Sequence, residues 1–299
     1  MISLSKTIPL QVIENELTQL HKIKLYLLRL DTIDFYVGGN KLFKLKYNIE
    51  EVKKQKLTKV LTFGGVWSNH LAATAKACEE NNLELICVVR GEEPVVYVDT
   101  LNYCKRMKAH LHFVSRADYR NRTDPDFIKE LEQKFGNFYL LPEGGSNTLA
   151  IKGCKEILDF IPIDFNYICT PVGSGATLAG IATGIKQHQQ ALGFSVLKGA
   201  EYLGDEVHKL MINAGNTQHA VYNINHNYHF GGYAKTTPAL LSFKKDFEST
   251  CQIPLDYVYT VKMMFGIFDL IQKKSFKEGS TLVALHTGGL QGNKGFEKS

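Results

Sequence analysis

A chain of 299 residues is long enough for about two domains and a large buried core. With 44% hydrophobic and 22% charged residues, it has the composition of a folded globular protein, which excludes a disordered or collagen-like chain. Thirty-five Lys and Arg against thirty Asp and Glu leave a formal charge of +5. That charge is spread along the chain, so an anionic small molecule suits it at least as well as a nucleic acid, whose binders concentrate basic residues in a patch.

The amino-terminal segment carries Pro9, Glu14 and Glu16 where a signal peptide needs an unbroken apolar core. No stretch approaches the ~18 apolar residues of a membrane span. Six cysteines (Cys78, Cys87, Cys104, Cys154, Cys169 and Cys251) are scattered without a C-x-x-C pair, giving neither a metal site nor a disulfide framework. A soluble, reduced, cytoplasmic protein is expected, with no nucleic-acid or membrane partner.

In chain order, Lys59–Phe63 reads as a strand, Asn69–Asn81 as a helix and Leu85–Arg90 as a second strand. Thr100–Lys108 follows as a helix, Leu111–Ser115 as a strand, Asp126–Phe135 as a helix and Phe138–Leu141 as a strand. A second series begins after Gly144-Gly145, with a helix over Leu149–Phe160 and a strand over Tyr167–Val172. The glycine turn GSGAT then leads into a helix to about His188, and Ser195–Glu201 and Thr281–His286 read as further buried strands. Strands alternating with helices of this length predict βαβ units and mostly parallel sheets flanked by helices, the α/β class. The natural division is a small α/β unit, 47–151, inserted into a larger one built from 1–46 and 152–299. Ligands of such open sheets bind beyond the carboxyl ends of the strands, often where two domains meet.

Four segments stand at such places. In Gly38-Gly39-Asn40-Lys41-Leu42-Phe43-Lys44 the glycines allow close backbone approach, and a lysine follows at once. A lysine amine becomes a Schiff-base nucleophile when burial or a neighbouring cation lowers its pKa; the plainer reading is a turn before a basic first helical turn. In Gly64-Gly65-Val66-Trp67-Ser68-Asn69-His70, Ser68 or Asn69 suits a helix cap, which is compatible with an anion site. His70 reads as a local hydrogen-bond partner more readily than as a general base. Pro171–Gly180 (PVGSGATLAG) offers successive backbone N–H groups as a phosphate cradle. It lacks the G-K-[ST] of a P-loop, and Leu178 replaces the third glycine of a dinucleotide fingerprint, although Glu201 follows where a ribose-binding acid would. Last, Asp256–Thr260 (DYVYT) and His286–Leu290 (HTGGL) read as strand ends delivering hydroxyls to a common region.

As a set, GGNK, GG-x-x-SN, GSGAT and HTGGL resemble the pyridoxal-phosphate enzymes of the tryptophan-synthase-β-like fold, over about Arg29 to Gly292. The branch is the one holding 1-aminocyclopropane-1-carboxylate deaminase and D-cysteine desulfhydrase. The resemblance implies pyridoxal 5'-phosphate as cofactor, Lys41 as its Schiff-base lysine and Lys44 close to its phosphate. It also implies Asn69 on the phenolic oxygen, Ser68 beside the substrate carboxylate, and Gly173, Ser174, Gly175, Ala176 and Thr177 as the phosphate cup. Tyr233, in FGGYAK, and Tyr259 match two tyrosines near the substrate. The larger unit would hold the cofactor, the smaller one would be mobile, and the assembly would be a homodimer.

Deaminases of the cyclopropane substrate carry a glutamate after the second tyrosine and a leucine after the last histidine; this chain has Thr260 and Thr287. Thr260 is a neutral partner for the pyridine nitrogen, which makes a weaker electron sink. Such a sink suffices for α,β-elimination, where a departing thiolate drains the carbanion. The expected activity is therefore D-cysteine desulfhydrase-like, giving pyruvate, ammonia and sulfide. The alternatives are deamination of 1-aminocyclopropane-1-carboxylate to 2-oxobutanoate, or a non-catalytic protein binding the cofactor or an amino acid. Phe43 stands for a usual arginine, Trp67 for a smaller residue, and Tyr257 and Val261 for a proline and a glycine. Trp67 and Tyr257 are expected to narrow or reshape the substrate pocket.

Overall fold

The computed structural model describes residues 7–216 and 221–296; the first six residues of the amino-terminal segment discussed above lie outside them. The strands are β1 (Leu10–Ile13), β2 (Lys24–Leu28), β3 (Lys59–Gly64), β4 (Glu84–Arg90) and β5 (His110–Val114). They continue with β6 (Tyr139–Leu141), β7 (Tyr167–Val172), β8 (Gln190–Ser195), β9 (Tyr222–Asn225) and β10 (Thr281–Leu285). The helices are α1 (Glu16–Leu20), α2 (Asn40–Lys54), α3 (Asn69–Glu80), α4 (Asp99–Arg106) and α5 (Pro125–Phe135). After these come α6 (Thr148–Lys155), α7 (Ala176–Ala182), α8 (Leu203–Asn213), α9 (Pro238–Cys251) and α10 (Thr260–Gln272).

Two sheets form. One has six strands in the order β1-β2-β10-β7-β8-β9, the other four in the order β5-β4-β3-β6. Every pairing is parallel except β1 with β2 at one edge. Parallel sheets are covered on both faces, and the strand sequences show it. In β10, Val283 and Leu285 enter one apolar cluster while Leu282 and Ala284 enter the cluster on the other face. In β4, Leu85, Cys87 and Val89 pack on one side and Ile86 and Val88 on the other.

Helix boundaries follow local chemistry. Asp124 caps α5, accepting the N–H of Asp126 at 2.9 Å, with Pro125 at the first helical position, and Gly136 ends the helix at φ 76°. Three expectations are corrected. The helix after GSGAT stops at Ala182 rather than near His188, and the strand expected at Ser195–Glu201 is Gln190–Ser195. The cause of the second is Gly193, which reads as a turn signal. A Cβ there would meet Leu178 and Val172 side chains at 2.7 Å, so this glycine admits close packing of α7 and β7 on the strand. Glu201 falls in an exposed turn. Asp256–Thr260 is also not a strand end but the turn that starts α10.

Candidate active site

The expected residues collect where the carboxyl ends of the two sheets meet. Gly39, at φ 70°, packs against the end of β10 so closely that a Cβ would lie 1.9 Å from the Thr287 carbonyl oxygen. That contact sets the first turn of α2, and with it Asn40, Lys41 and Lys44. Asn40 Nδ2 donates to Thr177 Oγ1 at 2.9 Å, tying α2 to the glycine bend after β7. Gly175 lies at φ 83°, and Gly173 carries the Tyr259 ring, 3.2 Å from where its Cβ would stand.

Lys44 is 3% exposed. Its ammonium donates to Gly144 O (3.0 Å), Ser174 Oγ (3.2 Å) and Ser146 Oγ (3.4 Å), and Ser146 donates to Ser174 at 2.6 Å. Lys41 Nζ donates only to Asn40 Oδ1, at 3.2 Å. Burial, then the neighbouring Lys44 charge, pulls the Lys41 amine down to about 7, and burial also lowers Lys44. Neither lysine forms an ion pair among the described residues. A buried Lys44 ammonium beside a Lys41 amine brought close to neutrality, neither of them ion-paired, makes a site short of negative charge.

Ser68 caps α3, its Oγ accepting the Leu71 N–H at 3.3 Å. Asn69 lies against the loop after β10: a Cβ at Gly289 would meet its amide nitrogen at 2.5 Å, and one at Gly292 its oxygen at 3.2 Å. Thr260 and Asn69 each bury a side-chain oxygen with no partner, Thr260 Oγ1 and Asn69 Oδ1. Such atoms are costly unless a ligand meets them. Tyr233 is 46% exposed, its ring edge-on to Tyr259 at 6.1 Å between centroids. Burial raises both phenols, Tyr259 well above the usual range. Thr287 offers its carbonyl to α2, accepting the Asn40 N–H at 3.4 Å.

His70 is a local partner. Thr62 gives its hydroxyl proton to Leu141 O at 2.8 Å, so it accepts from His70 Nε2 at 2.8 Å. Burial, then Lys41 and Lys44, keeps His70 well below its usual pKa. The bulk of Trp67 and Tyr257 is taken up elsewhere than expected. Trp67 packs on Gly295, while Tyr257 stacks on Phe296 at 4.7 Å beneath the Lys244 ammonium. Phe43 is fully buried, edge-on to Phe160 at 5.8 Å.

Two residues of the quoted segments have roles that the motif reading did not assign. Asp256 accepts the N–H groups of Val258, Tyr259 and Thr260 at 3.0, 2.7 and 2.8 Å, which fixes the start of α10. Its signal was an Asp just before a helical run, masked by the β-rich YVYT. His286 accepts the Gly288 N–H on Nδ1 at 3.3 Å and donates from Nε2 to Pro254 O at 2.7 Å, holding the HTGG loop.

A near-neutral lysine amine, a cationic glycine-lined bend and two orphaned buried oxygens suit a phosphorylated aldehyde, and define an α/β enzyme holding its cofactor through a lysine. The sequence pattern of the family described as pyridoxal-phosphate dependent enzyme matches residues 8–288, and the chain belongs to that family. It is 33% identical to the bifunctional D-cysteine desulfhydrase/1-aminocyclopropane-1-carboxylate deaminase, mitochondrial, of Arabidopsis thaliana, covering 90% of this chain and 73% of that protein. It is 26% identical to the D-cysteine desulfhydrase of Salmonella newport (89% and 87% covered). A crystal structure of an ACC deaminase homologue superposes with a TM-score of 0.85 at 25% identity, covering 98% and 92% of the two chains. The cofactor is pyridoxal 5'-phosphate and the fold is tryptophan-synthase-β-like, as the motifs implied.

Proposed function

We propose that the chain is a lyase converting D-cysteine and water to pyruvate, ammonia and hydrogen sulfide. One observation carries the choice over the cyclopropane substrate. The Thr260 hydroxyl is wholly buried and unpartnered at the position matched to the pyridine nitrogen, where the deaminases carry a glutamate. A hydroxyl cannot hold that nitrogen protonated as a carboxylate does. Thr287 is a second departure in the same direction.

When bound, pyridoxal phosphate supplies the electron sink for charge at Cα. The chain's own residues do the rest. Lys41 holds the cofactor and, as a free amine with a pKa of about 7, takes the Cα proton. Lys44, Ser174, Thr177 and the backbone of Gly173, Gly175 and Ala176 hold the phosphate. Asn69 and Thr260 meet the ring oxygen and nitrogen. Ser68 receives the substrate carboxylate, and Tyr233 and Tyr259 flank its side chain. Residues 47–151 form the small unit and 1–46 with 152–299 the large one. The assembly is a homodimer of the cytoplasm, in amino-acid metabolism.

Assaying sulfide and pyruvate from D-cysteine against 2-oxobutanoate from 1-aminocyclopropane-1-carboxylate tests the reading; 2-oxobutanoate as the sole product defeats it. Lys41→Ala is expected to lose both the visible absorbance of the bound cofactor and turnover. A variant keeping both removes Lys41 from its role.

A further inference from the structure

Lys262 is 0% exposed in the first turn of α10. Its ammonium donates to two carbonyls of one loop, His229 O at 2.9 Å and Gly232 O at 2.7 Å. The placement works against stability. Burial strips an ammonium of hydration and pulls this one down to about 8, and the amino-terminal turn of a helix disfavours a cation. The one charge favouring it is Asp256, the carboxylate that fixes the Tyr259 and Thr260 backbone.

The gripped loop has unusual backbone. Phe230, Gly231, Gly232 and Ala234 all have positive φ, at 52°, 92°, 115° and 56°. For Phe and Ala that geometry is strained, so the loop must be held from outside. The Phe230 ring, edge-on to Phe265 at 4.9 Å, and the Lys262 ammonium anchor it to α10, and just before it Tyr228 donates to Asp269 at 2.6 Å. Tyr233 leaves the loop between Gly232 and Ala234, 46% exposed, with its ring edge-on to Tyr259.

We propose that Lys262 is a positioning residue, whose buried ammonium fixes the His229–Ala234 loop so that Tyr233 stands against Tyr259 at the substrate's place. This rests on reading both tyrosines as substrate-facing. Asp256 then sets one tyrosine and Lys262 the other, from opposite charges at the start of one helix.

The test uses holoenzyme of wild type, Lys262→Met, Lys262→Gln, Tyr233→Phe and the Lys262→Met/Tyr233→Phe pair. Hydrogen exchange of the 228–235 peptide is expected to speed up about tenfold or more in Lys262→Met, with α10 and both sheets unchanged. With D-cysteine, kcat is expected to fall about 10- to 100-fold while the cofactor absorbance stays as in wild type. Lys262→Gln, which keeps an N–H donor group without the charge, should recover part of the loss. In the Tyr233→Phe background the Lys262→Met loss should shrink to under about threefold, because the two residues act as one unit. Unchanged exchange, or an equal loss in both backgrounds, overturns the proposal. If Lys262→Met does not fold, Lys262→Gln carries the same comparisons with smaller changes. If wild type releases no sulfide, the D-cysteine reading fails, while the exchange result still decides the tether.

Discussion

At the scale of single residues, the chemistry turns on where protons sit. An ordinary lysine amine is protonated below about 10.4; that of Lys41 is brought to about 7 by burial and by Lys44. Only the unprotonated amine attacks an aldehyde. Cofactor uptake by the apoprotein, followed by visible absorbance in a stopped-flow mixer, should therefore accelerate from pH 6 to pH 8 with a midpoint near 7. Lys44→Gln should move that midpoint upward, since it removes the neighbouring charge. The candidate residues of the glycine-led segments could be picked out because each chemistry-bearing side chain sits beside glycines or a cap. Asp256 and Lys262 were not. Their roles are made by backbone groups from turns and loops whose position no local pattern announces.

At the scale of elements, close approach decides more than propensity. A Cβ at Gly39 would stand 1.9 Å from a carbonyl oxygen, in a backbone conformation of φ 70°. Gly91 has a similar conformational demand at φ 107° but nothing within 4 Å. Gly91→Ala should cost about 1 kcal/mol from backbone strain alone, whereas Gly39→Ala should cost about 3 kcal/mol or more because α2 must leave β10. Urea midpoints measure both, and only Gly39→Ala should release cofactor on dialysis. The same physics explains what the sequence hid. The buried strands around KVLTF and YICTPV were readable as continuous apolar runs between turns. β8 was displaced in the reading because Gly193, needed for packing, looks like punctuation. β1 and β2, and the helices α8 to α10, lie outside the regular βαβ rhythm and were not placed.

At the scale of the whole molecule, two sheets, parallel but for the β1 edge, bring their carboxyl ends to one place, and the segment after β10 closes over it. That segment touches elements packed on each of the two sheets. Gly289 and Gly292 receive Asn69, Gly295 receives Trp67, and Lys294 pairs with Asp99 of α4 at 2.8 Å. On the other side Phe296 stacks with Tyr257. The alternation of strands and helices that builds the two sheets was readable from the sequence; this closing strap was not, because it is a short irregular stretch whose partners are far away in sequence. Removing the ion pair with Lys294→Ala should loosen the strap locally and raise the dissociation constant of the cofactor severalfold, measured by equilibrium dialysis, with the unfolding midpoint changed by less than about 1 kcal/mol.

The indole of Trp67 is the only one in the chain, and it lies on that strap. Its emission therefore comes from a single known spot, on the same segment that receives Asn69, the residue proposed to meet a cofactor that absorbs where indole emits. Titrating the vitamin into colourless protein should dim this light in step with binding, and adding substrate should alter it again if the strap shifts during turnover. The fold thus contains a built-in lamp at its seam, and following it needs no label.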